Sequence, residues 1–166
     1  MTGSTSFAES AAREPLVVDG LAGIRALPIG EVLGTSDDLT ITQEMIDAFA
    51  DVTRDHQWIH VDVERAERES PFGGPVAHGY LSLSMIPYLL PQIVQFSGFR
   101  LTVNYGLDRV RFPSPVLAGQ VIRAEAQIDE VSDVTGGVQV AVRITLSVPG
   151  APKPACVVTN LIRNFT

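Results

Sequence analysis

Residues 80–96 read YLSLSMIPYLLPQIVQF, the longest apolar stretch of the chain. It is apolar on nearly every face, so as a helix it must be buried on nearly every side. Pro87 removes a backbone donor, which predicts a kink at that point. Ser82, Ser84, Pro87, Pro91 and Gln92 interrupt the run, which is too short and too broken to cross a bilayer. Downstream the period changes from helical to alternating. GVQVAVRITLSV places Val138, Val140, Val142, Ile144, Leu146 and Val148 on one face, and GQVIRAEAQIDEV alternates as strictly. RLTVNYGLDRVRF reads as a strand with a bend near Gly106, and PACVVTNLIRNF closes the chain. The pair Gly136-Gly137 suits a hairpin turn between two of these strands.

Upstream, VVDGLAGIRAL predicts a short helix with Asp19 as a possible cap, and GEVLGTSDDLTIT predicts extended structure around a turn at residues 36–38. TQEMIDAFADVTRD is a helix. Thr42 is its N-cap, Ile41 and Ile46 stand where a hydrophobic staple would be, and Met45, Ile46, Phe49 and Val52 form the apolar stripe. DVERAERE is one or two turns capped by Asp62, and SPFGGPVAHG is a turn-rich loop. There are no repeats and no internal linker. Helices segregated in sequence from antiparallel strands argue an α+β domain. One long apolar helix filling the concave face of a curved antiparallel sheet resembles a hot-dog fold. A single such domain is expected over residues 16–166. Residues 1–15, rich in Ser, Thr, Ala and Glu, read as a disordered tail and lack the basic start and apolar core of a signal peptide.

The 166 residues carry twelve basic and nineteen acidic side chains, a net charge of −7. No global basic field is available for nucleic acid, and an anionic small ligand would need a local basic patch. The single cysteine, Cys156, cannot form an internal disulfide, which fits a reducing, cytoplasmic compartment. It lies in the apolar run ACVV and reads as a buried structural thiol.

The chemistry concentrates in TRDHQWIH, residues 53–60, which holds two of the three histidines of the chain. Asp55 and His60 would project about 140° apart on a continuous helix, too far to share a target. From a loop they can converge, and the apolar period stops at Thr53 and restarts after Asp62. A carboxylate and an imidazole converging on one water can move protons in either direction. Burial beside Trp58 would push the Asp55 carboxyl up, and a protonated His60 would oppose that. The same two residues also fit an Asp capping a turn beside a surface histidine. Asp55, His56, His60 and His78 would further suit zinc, with His56 and His60 at helical spacing, but the segment does not read as helix and thiolates are absent. No metal is expected.

FADVTRDHQWIHVDVERA resembles the hydratase-2 motif of the (R)-specific enoyl-CoA hydratases, the MaoC-like dehydratase family. Phe49 matches its aromatic, Val52 its aliphatic, Thr53 its hydroxyl, Asp55 its catalytic acid, Ile59 its second aliphatic, His60 its catalytic base and Ala66 its closing small residue. Arg54, Gln57 and Trp58 stand where the motif has Gly, Asn and Pro. DHQWIHVD, AHG and NYGLDRVRFPSPV are similar to the nodulation-protein-N-like branch, and the resemblance runs from about Val32 to the C-terminus.

The resemblance implies reversible syn addition of water to a trans-2-enoyl thioester, with Asp55 and His60 catalytic. It implies an oxyanion site at Gly79, in His-Gly at the start of the central helix, and a pocket-lining role for Asn104. A serine that lines the site in some members corresponds to Pro87 here. The implied substrate is an acyl-CoA or acyl-carrier-protein thioester, the implied assembly a homodimer, and no cofactor is used. Arg54, Arg109, Arg111 and Lys153 are the candidate cations for the phosphates of CoA. A hot-dog thioesterase is the rival with the same fold, but such enzymes usually carry an acid on the central helix and residues 80–94 contain none. The three altered motif positions keep a non-catalytic acyl-thioester binding protein open as well.

Overall fold

A computed structural model describes residues 14–166, so the expected tail falls, up to residue 13, outside the described residues. The chain opens with β1 (Leu16–Asp19) and α1 (Gly20–Arg25), then β2 (Val32–Thr35) and β3 (Leu39–Thr40). Three helices follow: α2 (Gln43–Thr53), α3 (Trp58–Val61) and α4 (Val63–Glu69). The caps read from sequence form: Thr42 Oγ1 accepts from the Met45 N–H at 3.3 Å, and Asp62 Oδ1 from the Arg65 N–H at 3.0 Å. Asp19 stands at the N-cap position of α1 but caps nothing, because its carboxylate instead accepts from the Ser97 hydroxyl at 2.8 Å. The α2 stripe ends one turn earlier than expected. Ile46 and Ala50 are buried, whereas Val52 is 81% exposed.

The apolar stretch is not one kinked helix. It divides into α5 (Gly79–Ser84), α6 (Ile86–Leu89), a 3-10 turn (Leu90–Gln92) and a strand, β4 (Val94–Ser97). Pro87 and Pro91 each sit in the first two positions of a new helical piece, where a missing N–H costs no bond. β4 pairs in parallel with β1, so the chain is not purely antiparallel. Nor is the segment buried all round. Leu81, Ile86, Leu89 and Leu90 enter the core, but Tyr80 and Tyr88 are 70% and 62% exposed.

The strands β5 (Leu101–Arg111), β6 (Val121–Val134), β7 (Gly137–Ser147) and β8 (Cys156–Phe165) form the main antiparallel sheet, ordered β2-β6-β7-β8-β5, with β3 also on β6. The hairpin joins Val134 to Gly137 through a turn in which Gly136 takes φ 77°, a value that favours glycine. Val138, Val140, Val142, Ile144 and Leu146 are wholly buried on one face, as their alternation requires. They meet the helical segment in one core with Leu81, Ile86 and Leu89. β5 is the sheet's edge and carries two register shifts, at residues 104–106 and 108–111, the first of them the bend expected near Gly106.

Candidate active site

The chain leaves α2 through Arg54, which takes φ 65°. That left-handed value turns it sharply into a three-residue loop, Asp55 to Gln57, after which α3 begins. The expected loop is therefore shorter than the sequence suggests, and His60 sits on a single helical turn. That turn is clamped from two sides. Gln43 Nε2 donates to the His60 carbonyl at 2.8 Å, and the Val76 N–H donates to the Ile59 carbonyl at 3.0 Å.

His60 is 8% exposed, and its Nδ1–H donates to the Val76 carbonyl at 2.6 Å. That bond fixes the tautomer and leaves Nε2 with its lone pair. Burial pushes the His60 imidazole below its usual range; the Val76 carbonyl opposes this, His78 adds to it, and Asp55 opposes it. The ring is thus held neutral, as a proton acceptor.

His78, at the start of α5, lies flat against His60. Their ring centroids are 3.7 Å apart with planes inclined at 23°. His78 Nε2–H donates to the Asp55 backbone carbonyl at 3.0 Å and lies 3.8 Å from the Asp55 carboxylate. Its Nδ1 is buried without a partner among the described residues. Asp55, His60 and His78 thereby bring one polar atom each within 4.8 Å of one another. The sequence had paired the first two and joined His78 to them only as a possible zinc ligand; the fold brings it in from eighteen positions beyond His60. Asp55 is 55% exposed, so it is not buried beside Trp58 as expected. Trp58 instead packs under the Arg65 guanidinium, 4.3 Å from the ring centroid. His56 takes no part: it pairs with Asp51 at 2.9 Å on the surface.

Three such groups invite a metal, but the rings do not suit one. Imidazole lone pairs lie in the ring plane. Two rings stacked 3.7 Å apart hold their lone pairs in separate, nearly parallel planes, which do not meet at one ion. The arrangement suits hydrogen bonding to a water or hydroxyl better than coordination.

Gly79 follows His78 directly. No group among the described residues accepts from its N–H. A Cβ at this position would stand 3.0 Å from the Phe112 ring, so only glycine leaves the backbone open here. Gly79, Ile59, Val76, Ser82 and Phe112 line a hollow of about 320 Å³. Asn104 lies elsewhere, on β5 beside Pro87 and Asn160, and shares no hollow with Asp55 or His60. A single protomer therefore does not bring it to the pair.

Of the candidate cations, Arg54 is exposed beside Asp55. Arg111 and Lys153 lie one and two residues in sequence from Phe112 and Ala155, which line the Gly79 hollow. Arg109 takes φ 54° and faces a different concavity with Asp108, Asp129 and Glu130, a poor place for a phosphate. The Cys156 thiol is wholly buried and pushed up to about 11, so it is no nucleophile.

Residues 25–148 match the MaoC like domain. The chain is 48% identical over 139 residues to 3-hydroxyacyl-thioester dehydratase Z of Mycobacterium tuberculosis, covering 83% of this chain and 91% of that one. The chain belongs to the MaoC-like dehydratase family. It is also 42% identical to nodulation protein N of Rhizobium meliloti, over 76% of this chain and 80% of that one. Among solved structures, a monoamine oxidase regulatory protein from Archaeoglobus superposes with a TM-score of 0.71 at 26% identity, over 93% of this chain and 98% of that one. The fold is the hot-dog of that family. Within it, the change from glycine to Arg54 keeps the backbone turn that glycine would favour, since Arg54 adopts the left-handed conformation itself.

Proposed function

We propose that the protein is an (R)-specific enoyl-thioester hydratase, equally a 3-hydroxyacyl-thioester dehydratase, with Asp55 and His60 as its catalytic residues. The observation that carries this is the convergence of Asp55, His60 and His78, one polar atom of each within 4.8 Å of the others, with His60 Nδ1 taken up by the Val76 carbonyl and Gly79 next in the chain after His78. A water held between carboxylate and imidazole has an acceptor on each side. Asp55 takes its proton as the oxygen attacks C3 of the enoyl thioester, and His60 Nε2 orients it. Charge developing on the thioester oxygen is met by the Gly79 N–H. The proton then returns to C2 from the same face, so addition is syn, and the (R) configuration of the 3-hydroxyacyl thioester follows from which face of the double bond is turned to the pair. Dehydration is the reverse path. His78 acts through its neighbours, holding the Asp55 backbone and the face of the His60 ring.

The substrate is an acyl thioester of CoA or of a carrier protein, and Arg54, Arg111 and Lys153 are the cations placed to meet its phosphates. Among the described residues no helix is long and apolar enough to cross a membrane. The edge strand β5 exposes Leu101, Tyr105 and Leu107, and the neighbouring helical face exposes Tyr88. A second copy of the chain covering this surface would make the working unit a homodimer.

The test is the loss of conjugated-thioester absorbance on adding trans-2-butenoyl-CoA, with free thiol followed in parallel. Absorbance lost without thiol release supports hydration. Thiol release would identify a thioesterase, and an unchanged signal with every enoyl chain length would leave only binding.

A further inference from the structure

Three hollows line up in chain order along the helical segment, β5 and β8; the second and third share lining residues, and the first shares none with them. The first, beside Gly79, lies between α5, the end of β5 at Phe112 and the start of β8 at Ala155. The second, about 310 Å³, takes Ser84 and Pro87 from the helical pieces, Leu107 from β5 and Asn160 from β8. The third, about 280 Å³, takes Leu90, Thr102 and Ile162 from the same elements further on, and shares Pro87, Asn104 and Asn160 with the second. Residues 79 and 87 stand about 12 Å apart along the segment at the α-helical rise. A track of this shape, mostly apolar, fits an alkyl chain.

One feature of the track does not suit a plain alkyl chain. Asn160 is 2% exposed on the inward face of β8. Its Nδ2 donates to Asn104 Oδ1 at 3.3 Å, and its Oδ1 has no partner among the described residues. A buried acceptor left unmade is costly, and an apolar tail lying against it would add to that cost. Turning both amides over changes nothing essential. The pair still keeps one free donor and one free acceptor, one on each asparagine. A hydroxyl gives one hydrogen and accepts another, so it completes either arrangement.

We infer that the acyl chain runs from Gly79 along this track and that Asn104 and Asn160 read a hydroxyl carried on it far from the thioester. The substrate class is then a medium-chain hydroxylated acyl thioester rather than a simple fatty acyl one. This rests on Gly79 marking the thioester end, as proposed above.

The test measures binding, so that it does not depend on turnover. Calorimetry compares decanoyl-CoA with ω-hydroxydecanoyl-CoA, and repeats the pair at octanoyl and dodecanoyl length. The hydroxylated compound should bind about tenfold tighter at one of these lengths, the usual return of one buried hydrogen bond to a group otherwise unpaired. Asn160→Leu, which keeps the branching but not the polar atoms, should abolish or reverse that preference, and Asn104→Leu, at a more open position, should weaken it if the first variant does not fold. Equal binding of both members at every length, or a preference that survives both substitutions, would overturn the assignment. A hydroxyl preference in a protein that hydrates no enoyl thioester would support the amide pair and place the failure with Asp55 and His60 instead.

Discussion

At the scale of single residues, the site depends on which groups are charged. Asp55→Asn keeps the shape and loses the base, and His60→Gln keeps a polar group and loses the imidazole. Each should lower kcat by about two orders of magnitude or more, with KM much less affected, as steady-state rates with an enoyl-CoA would show. The double variant should lose little beyond the worse single one, because the two act on one water. The depressed His60 imidazole also links pH to stability. The unfolded chain takes up a proton near the ordinary imidazole value, and the folded protein refuses it until a lower pH. Stability should therefore fall as pH drops from that ordinary value to the folded one, and then level off for this group. Denaturant titrations across that window should show the fall in the wild type and a shallower one in His60→Gln. Asp55 and His60 were singled out in sequence by the likeness of residues 49–66 to the hydratase-2 motif, because their spacing alone fits a turn cap beside a surface histidine as well. The His78 contact was not, since stacking against His60 depends on where α5 docks, which no local pattern encodes.

At the scale of elements, Arg54 makes the sharpest case. It is a non-glycine residue at φ 65°, a conformation that costs an ordinary residue about 1 kcal/mol. Arg54→Gly should relieve that strain, offset in part by the greater freedom of glycine in the unfolded chain, for a net gain of about 0.5 kcal/mol or less. Thermal unfolding should show the gain. The same variant removes one cation beside Asp55, so KM for an acyl-CoA should rise and depend less on ionic strength. Caps and strands were readable because their signals are local: Thr42 and Asp62 bond within three residues of themselves, and the inward valines of β7 alternate without exception. The helix at residues 80–96 was over-extended because Pro91 lets the chain leave helical geometry. The pairing of β4 with β1, a long-range partner invisible in composition, then takes residues 94–97 as a strand.

At the scale of the whole molecule, the proposed homodimer turns on how the open edge of β5 is covered. The sheet ends on its other side at the short β2 and β3, both on β6, whereas β5 runs for 11 residues and exposes Leu101, Tyr105 and Leu107 along with backbone that β8 does not use. Apolar surface beside unpaired strand groups favours a second strand, and an identical chain offers one by two-fold symmetry. The helical pieces overhang this edge at Pro87, so a partner there would also roof the hollow lined by Asn104. Leu107→Lys places a charge at the centre of such an interface. It should convert a dimer to a monomer at micromolar concentration, read by light scattering, and lower turnover tenfold or more, both by losing the partner and by charging a wall of the hollow beside Asn160, while far-UV circular dichroism stays unchanged, because the residue makes no part of the core. An active wild-type monomer at the concentrations of the assay would refute the arrangement. A monomeric Leu107→Lys protein with full activity would keep the interface but confine the whole catalytic site to one chain.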